Sequence, residues 1–490
     1  MNDAEFAPIV SDQEGSAHVD LYALTHKEIQ DPPATTLKAL TKIGPGLILA
    51  ASIVGTGELI NTTALGAKQG FVLLWLILVS CVIKVFVQVE MGRYAITRGK
   101  TSLGAIDTLP GPRYGTSWLC WLAMLMIVAT NCQLAAMEGL VGEAAVMAFH
   151  GDDGASTGQG ITASVPFWAA VACVAAIALL LSGGYKRLEK ITTALVALVT
   201  LVTVLGALRL PMTMADLTGG LKFALPTGQG GWLLAFSAFG ITGVGASELF
   251  AYPYWCIEKG YARAAGPRSD SEDWAQRARG WIRVMQLDAW FSMIVFTLAT
   301  VAFYFMGAAV LNGQLKAGTI APKDLEGVRM IRTLAHMYVQ VLGPWARPFF
   351  LLGAWAVLFK TLYVATAANS RMTADFLALA GFAPKNDPVS RERIVRAFCI
   401  FYPHLSLTIF LGYREPLKLI MIGGIAQALM LPLIAGATLY LRYRDADRRV
   451  GPSRFSDSLS WLAFVGIAAV AGYSIFTWGQ MAASALGLIK

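Results

Sequence analysis

The chain has 490 residues, of which 56% are hydrophobic and only 14% are charged, and its mean hydropathy is +0.57. Charged residues make up about 25% of ordinary soluble domains, so this composition excludes a water-soluble enzyme and indicates a polytopic membrane protein. The formal net charge of +8 is the usual charge bias of a membrane protein, and we expect no nucleic-acid partner. The sequence has no HExxH motif and no GxSxG motif in a fitting context, so we do not expect the protein to be an enzyme.

Apolar runs bounded by charged residues, glycine and proline predict about eleven membrane spans within residues 37–490. We place them at 43–67, 70–93, 117–149, 165–183, 189–209, 231–257, 283–311, 345–377, 394–411, 417–441 and 458–486. Residues 1–36 are polar and lack the basic-then-apolar order of a signal peptide, so we expect a disordered cytoplasmic tail.

Lysine and arginine are concentrated in alternate connections between the predicted spans, whereas the connection at 150–164 contains none. Because basic residues remain on the cytoplasmic side, this pattern predicts a multi-pass cell-membrane protein with a cytoplasmic N-terminus. An odd number of spans then places the C-terminus outside.

The first and sixth predicted spans carry matching glycine-rich interruptions. The first contains Gly55-Thr56-Gly57-Glu58-Leu59, and the sixth contains Gly245-Ala246-Ser247-Glu248-Leu249. They lie five spans apart, so the second copy enters from the opposite side of the membrane. This predicts an inverted-topology repeat of about 43–209 and 231–441, followed by an extra helix at 458–486.

Both interruptions place a glutamate near the middle of a span. An acid there costs about 2.5–3.5 kcal/mol on insertion scales, so two acids at matched positions, Glu58 and Glu248, indicate a functional site. The structural alternative is that these carboxylates only pair with Lys84 or Lys360. Individual glycines in membrane helices often serve close packing instead.

Several further motifs follow in order: Gly44-Pro45-Gly46, the segment from Gln88 to Lys100, Asp375-Phe376-Leu377, the basic segment from Arg391 to Arg396, and Gln427 with Leu431-Pro432. In these motifs the chain resembles the Nramp (natural resistance-associated macrophage protein) family of divalent-metal transporters. The resemblance implies an all-α, LeuT-type 5+5 inverted repeat with helices 1 and 6 broken. It also implies a secondary transporter that works by alternating access, and we expect it to be a monomer.

The sequence departs from the family at the site. Where the family carries Asp-Pro-Gly-Asn, this chain has Gly55 to Glu58, and where the family carries Met-Pro-His-Asn, it has Gly245 to Glu248. The missing methionine is a soft ligand, and hard oxygen ligands suit Mg²⁺ or Mn²⁺. We therefore expect a divergent branch that accepts these ions, and we do not expect the usual proton coupling. Placing methionine at Gly245 should then shift the preference toward Cd²⁺ and Mn²⁺.

The resemblance implies that the metal bound at the site is the transported ion itself, and we expect no resident cofactor. Its expected ligands are Glu58, Glu248, Gly55, Thr56, Gly245, Ser247 and Gln427. Lys360, Glu138 and Asn131 are candidates for a coupling or solvent route. The Lys360 ammonium either replaces a coupling ion, or it snorkels or pairs with a site glutamate.

Other functions use the same fold. A transporter of an amino acid, amine or other organic substrate is one alternative, with Tyr252, Tyr254 and Trp255 lining its pocket and Lys360 countering the two acids. A second alternative is an intramembrane enzyme or a receptor, but no motif in the sequence supports it.

Overall fold

The protein is a bundle of long helices, seen here in a computed structural model. The structure describes residues 28–44, 46, 53, 55–151, 164–182, 185–326, 329–385, 387–445 and 447–485. Predictions for residues 1–27 and for most of the first half of the first span lie outside these residues.

The main helices follow the predicted spans in order. They are α1 (described from the π-helical turn Thr56–Thr62 and its continuation Thr63–Gln69), α2 (Leu74–Arg98), α3 (Trp118–His150), α4 (Val165–Ser182), α5 (Tyr185–Ala207), α6a (Gln229–Ile241), α6b (Ala246–Glu258), α7 (Glu272–Met306), α8 (Ala346–Leu379), α9 (Pro388–Gly412), α10 (Pro416–Asp445) and α11 (Arg454–Ala485).

Shorter elements connect these helices. They are helices at Thr36–Leu40, Ser102–Ile106, Met214–Gly220, Tyr261–Ala265, Asn312–Lys316 and Met330–Leu342, a π-helical turn at Gly307–Leu311, a 3₁₀ turn at Pro322–Leu325, and a hairpin of β1 (Arg113–Tyr114) and β2 (Thr116–Ser117). The hairpin strands are antiparallel and have two residues each. The prediction of an all-α fold is confirmed.

Nine helical segments within the described residues are long and apolar enough to cross a membrane, which supports the prediction of a multi-pass protein. They comprise α2 to α4 and α6 to α11, with α6a and α6b counted as one segment. The apolar part of α5, Ile191–Ala207, is shorter, and only part of α1 is described.

The break in the sixth span is a short extended stretch between α6a and α6b. Thr242 is extended, Gly243 has a φ of 68°, and Gly245 is extended and precedes the first turn of α6b. The positive φ at Gly243 ends α6a at little cost, because glycine has no Cβ. We predicted unwinding at Gly245 to Ser247, but the helix already resumes at Ala246. An acid in the first turn, here Glu248, favours that start because the helix N-terminus is partly positive.

The break in the first span has a different form. Gly55 is non-helical, with φ −136° and ψ −133°, and a π-helical turn starts at the next residue. A Cβ on Gly55 would overlap Thr361 Oγ1 on α8, so this glycine permits a close approach of two helices. We predicted unwinding at Gly55 to Gly57, yet Thr56 and Gly57 lie inside the π-helical turn.

Helix α3 is at the centre of the bundle. It packs against α4, α8, α9 and α10, while α2 packs against α7 and α6b. The C-terminal ends of α2 and α10 meet, where the Arg98 guanidinium donates to the Asp445 carbonyl and Arg93 donates to the Val450 carbonyl at 2.8 Å. The basic connections that follow α2 and α10 therefore meet at one end of the bundle, which we call the basic end.

Ion pairs order this basic end. Arg449 donates to Asp447 at 2.8 Å, and Arg268 reaches the same carboxylate at 3.1 Å. Hydrogen bonds from the Arg449 guanidinium, and then from Arg268, hold the pKa of the Asp447 carboxyl well below its usual range. This carboxylate therefore stays charged and ties the segment after α10 to the segment before α7.

The chain is packed from Glu28 onward, rather than from residue 37. Glu28 pairs with Arg263 at 3.0 Å, the Gln30 amide donates to the Ala264 carbonyl at 3.0 Å, and the Trp281 indole donates to the Gln30 carbonyl at 3.0 Å. The prediction of a disordered tail therefore does not hold for the part of residues 28–36 that makes these contacts, around Glu28 and Gln30.

Candidate functional site

A cavity of about 50 Å³ lies beside the break in the sixth span. Helices α1, α3, α6b, α8 and α10 all contribute to its wall, so the cavity is at the meeting point of the two predicted repeats. It is lined by Ile53, Gly57, Thr130, Gln133, Leu134, Met137, Ile241, Ser247, Glu248, Ala251, Trp255, Thr361, Val364, Ala365, Ala368, Asn369 and Gln427.

Three of the predicted ligands, Glu248, Ser247 and Gln427, meet on one wall of this cavity. The Ser247 hydroxyl donates to Glu248 Oε2 at 2.8 Å and lies 3.0 Å from Gln427 Oε1. Gln427 Oε1 also accepts from the Ser247 amide at 3.0 Å. The first turn of α6b thus presents a half-buried carboxylate, a hydroxyl and an amide oxygen to one space.

Gln427 is held in this orientation from α3. Its Nε2 donates to Gln133 Oε1 at 2.9 Å, so its Oε1 is left to face Ser247. We did not predict Gln133 at the site. Its polarity inside a membrane span is a local signal, and the sequence places it with Asn131 and Glu138 among the candidates for a solvent route. Its contact with Gln427 joins residues far apart in the chain, so no local pattern records it.

The predicted partner carboxylate, Glu58, lies behind the break instead of on the cavity wall. It is 0% exposed, and its Oε1 accepts from the Gly243 amide at 3.1 Å and from the Thr300 hydroxyl at 3.3 Å. Its Oε2 accepts no hydrogen bond from the described residues. Glu58 therefore supports the broken backbone of the sixth span directly.

The carbonyls predicted as ligands begin helices. Gly55 O accepts from the Leu59 amide at 2.9 Å, and Gly245 O accepts from the Leu249 amide at 2.9 Å. Each carbonyl is thus occupied by the first hydrogen bond of its helix, although a second lone pair remains. The side chain of Thr56 lies outside the described residues.

A side chain at Gly245 would meet two of the predicted ligands. A Cβ there would lie 2.5 Å from both Gln427 Oε1 and Glu248 Oε2, closer than real Cβ contacts. Methionine at this position would therefore have to move the ends of these two side chains, which are predicted ligands. The shift in preference toward Cd²⁺ and Mn²⁺ stays a prediction.

The three candidates for a coupling or solvent route lie away from the cavity as the described residues outline it. Lys360 Nζ donates to Thr193 Oγ1 on α5 at 2.5 Å. Glu138 accepts from Ser406 on α9 at 2.9 Å, and Asn131 donates to the Ile127 carbonyl at 2.9 Å. The structure does not bring these residues together with Glu248.

Of the three aromatic residues predicted to line a pocket, one lines the cavity and two lie elsewhere. Trp255 lines the cavity, but the Tyr254 hydroxyl donates to Asp375 Oδ2 at 2.6 Å on α8, and Tyr252 is buried against α2 and α7. Arg371 on α8 pairs with Glu258 at 2.8 Å. Two polar contacts thus fasten α6b to α8 between the cavity and the basic end.

The site is weakly charged for a metal centre. Among the described residues, no three His, Cys, Asp or Glu side chains are grouped so as to hold an ion. Glu248 supplies one carboxylate to the cavity, and the other polar wall groups, including Thr130, Thr361 and Asn369, are neutral. Such a set suits a cation that keeps part of its hydration shell. Met137 on α3 is the sulfur-bearing residue among those that line the cavity.

The fold is similar to that of solved transporters. A manganese transporter from Eremococcus coleocola aligns with a TM-score of 0.63 at 14% identity, covering 94% of this chain and 90% of that chain. MhsT in complex with L-phenylalanine aligns with a TM-score of 0.55 at 16% identity, covering 90% and 99%. These likenesses confirm the predicted LeuT-type inverted-repeat fold.

Sequence comparison gives the family. The chain is 24% identical to divalent metal cation transporter MntH 1 of Pseudomonas aeruginosa over 93% of this chain and 96% of that protein. It is 20% identical to metal transporter Nramp7.1 of Populus trichocarpa over 90% of this chain and 76% of that protein. The family model described as natural resistance-associated macrophage protein-like matches residues 46–477, and the chain therefore belongs to the Nramp family.

Proposed function

We propose that this protein transports divalent metal cations across a membrane by alternating access. The observation that carries the proposal is the convergence of Glu248 Oε2, Ser247 Oγ and Gln427 Oε1 in a cavity at the break of a discontinuous helix. Discontinuous helices form the substrate and ion sites of inverted-repeat transporters. The relatives named as manganese or divalent metal cation transporters support the same function.

The ligand chemistry favours hard ions. We propose Glu248, Ser247 and Gln427 as ligands of Mg²⁺ or Mn²⁺, with water completing the shell, and Glu58 as a second charge behind the break. Oxygen ligands and retained water suit Mg²⁺. Met137 is the one cavity-lining sulfur of the described chain, so any preference for Cd²⁺ should depend on it.

The size of the cavity also favours an ion over an organic substrate. Its volume is about 50 Å³, whereas pockets for drug-sized ligands have about 300–1,000 Å³. A single water needs about 10–15 Å³ of such space. The cavity thus fits a cation with a few waters.

We propose that the basic end is cytoplasmic, which places the N-terminus inside a cell membrane and the C-terminus outside. In this orientation, the contacts of α6b with α8, Tyr254 to Asp375 and Glu258 to Arg371, lie between the site and the cytoplasm. Release of the ion to the cytoplasm then requires these contacts to open. Tags at each terminus, tested for accessibility in intact cells, check the orientation.

Uptake into proteoliposomes tests the function. Purified protein is compared with protein-free liposomes for Mg²⁺, Mn²⁺, Cd²⁺ and Ca²⁺, with a pH dye inside. We expect uptake of Mg²⁺ and Mn²⁺ with no acidification, and a Met137→Leu variant should lose any Cd²⁺ uptake while it keeps Mg²⁺ uptake. Absence of divalent uptake would overturn the function, and Cd²⁺ uptake that excludes Mg²⁺ and carries protons would overturn the selectivity.

A further inference from the structure

A lysine is buried at the break of the sixth span. Lys84 on α2 is 0% exposed, and its Nζ donates to the Phe239 carbonyl and, at 2.8 Å, to the Thr242 carbonyl. The same ammonium lies 5.0 Å from the centre of the Phe239 ring. Lys84 therefore binds the carbonyl oxygens at the C-terminal end of α6a and in the break that follows.

The end of α6a is a favourable position for any cation, whether or not it belongs to a side chain. The C-terminal end of a helix carries a partial negative charge from its free carbonyls. In inverted-repeat transporters, unwound carbonyls and half-helix C-terminal ends coordinate the coupling Na⁺ or proton. Here two such carbonyls, with the Ser80 hydroxyl 3.3 Å from each, surround an ammonium that belongs to the chain.

One peptide group joins Lys84 to Glu58. Lys84 donates to the carbonyl of Thr242, and Glu58 accepts from the amide of Gly243, which is the other half of the same peptide unit. The ammonium and the carboxylate polarise this peptide in the same sense, and hydrogen bonds in such a chain strengthen each other. Lys84 thus neutralises part of the buried negative charge and fixes the backbone that positions α6b.

Gln88 lies one helical turn from Lys84, on the same face of α2. Its side chain is 0% exposed, and neither its Oε1 nor its Nε2 has a hydrogen-bond partner within the described chain. A buried amide without partners is unfavourable. The Gln88 side chain therefore offers a further oxygen, its Oε1, one helical turn from Lys84.

We propose that the Lys84 ammonium is a tethered monovalent cation that occupies a cation site at the break of α6, so that transport needs no Na⁺ there. The role that this proposal gives to Lys84 in transport rests on the transport function proposed above. It predicts that removal of the ammonium opens a site for a free monovalent cation, made of the Phe239 and Thr242 carbonyls and the Ser80 hydroxyl.

The experiment measures stability and uptake separately. Wild type, Lys84→Ala, Lys84→Ser, Lys84→Arg and Lys68→Ala are unfolded by heat in detergent, with NaCl, KCl or N-methylglucamine chloride at equal ionic strength and no divalent metal. We expect Na⁺ or K⁺ at about 100 mM to raise the Tm of Lys84→Ala and Lys84→Ser by about 3 °C or more. Wild type and Lys84→Arg should not respond, and neither should the control Lys68→Ala, which removes a lysine that pairs with Glu326 away from the break.

Uptake of Mg²⁺ and Mn²⁺ into liposomes then follows with the same salts. Wild type should be indifferent to Na⁺ and K⁺, and Lys84→Ala should regain uptake at least about tenfold when one of them is added, a change of about 1.4 kcal/mol. Uptake by wild type that depends on Na⁺, or folded Lys84 variants whose Tm does not respond to either ion, would overturn the proposal. Because the Tm arm contains no divalent metal, it separates failure of this proposal from failure of the transport function.

Discussion

The breaks in α1 and α6 share the pattern Gly-x-[Gly/Ser]-Glu-Leu but use their glutamates differently. In α6b, Glu248 is half-buried, contacts Ser247 and lines the cavity. In α1, Glu58 is fully buried and accepts hydrogen bonds from Gly243 and Thr300. Equivalent positions in an inverted repeat thus need not have equivalent roles, since one copy faces the cavity and the other supports its partner's broken backbone.

The glycines show the same contrast. A Cβ at Gly55 would overlap Thr361 on α8, whereas a Cβ at Gly245 would overlap the proposed ligands Gln427 and Glu248. Both positions require a small residue, but the first keeps two helices close and the second keeps the site open.

The largest expected effect is that of Glu248→Gln on transport. It removes the one carboxylate among the described residues that line the cavity. Loss of a unit charge beside a divalent cation should cost about 2 kcal/mol or more, which is an about 30-fold loss of uptake. The measurement is the initial rate of Mn²⁺ uptake into proteoliposomes. Glu272→Gln, an exposed acid at the start of α7, is the matched control. Uptake by Glu248→Gln at the rate of this control would remove Glu248 from the site.

Gly245→Ala should have the next largest effect. The added methyl group must displace Gln427 Oε1 or Glu248 Oε2, each 2.5 Å away. These atoms end flexible side chains that can turn aside, so we expect the protein to fold but to hold the two proposed ligands out of place. We expect uptake to fall about tenfold. Gly55→Ala is its counterpart in α1, and Thr361→Ala should partly relieve that variant but not Gly245→Ala. Relief of both would mean that the two glycines serve the same packing.

Glu58→Ala should act on stability more than on the site. It leaves the buried Gly243 amide without its acceptor, which costs about 1–3 kcal/mol and should lower the Tm by about 2–6 °C with or without metal. Glu58→Gln keeps an acceptor and should lower it less. Glu248→Ala should instead keep the metal-free Tm and lose the rise caused by Mn²⁺. If the two alanine variants behave alike, the contrast between the carboxylates fails.

Ser247→Ala should have the smallest effect. The hydroxyl contacts Glu248 at 2.8 Å and Gln427 at 3.0 Å, and losing such hydrogen bonds costs about 0.5–1.5 kcal/mol. We expect the half-saturating Mn²⁺ concentration to rise about threefold, with the maximal rate kept. Ser247→Gly, which copies Gly57 of α1, should do the same, and a fall in the maximal rate alone would place Ser247 in the conformational step.

The fold was readable from the sequence because hydropathy is a local property. The predicted spans from 70–93 onward correspond to α2 to α11, and the glycines of the sixth span do mark its break. The exact residues at which the helices break were harder to predict from the sequence. Gly243 ends α6a through its positive φ, while the helix resumes before Ser247, and glycine spacing alone does not say which glycine takes which role.

Composition, periodicity and motif order were enough to establish the membrane class, the repeat, the family and the two matched glutamates, because these properties do not depend on distant contacts. The packing of distant helices, by contrast, sets that Glu248 faces the cavity and Glu58 the backbone, that Gln133 orients Gln427, and that Lys84 reaches the break of α6. These outcomes depend on the rotation of each helix about its axis and on which helices pack together. Pairs such as Lys84 with Thr242 join residues far apart in the chain, and no local pattern records them.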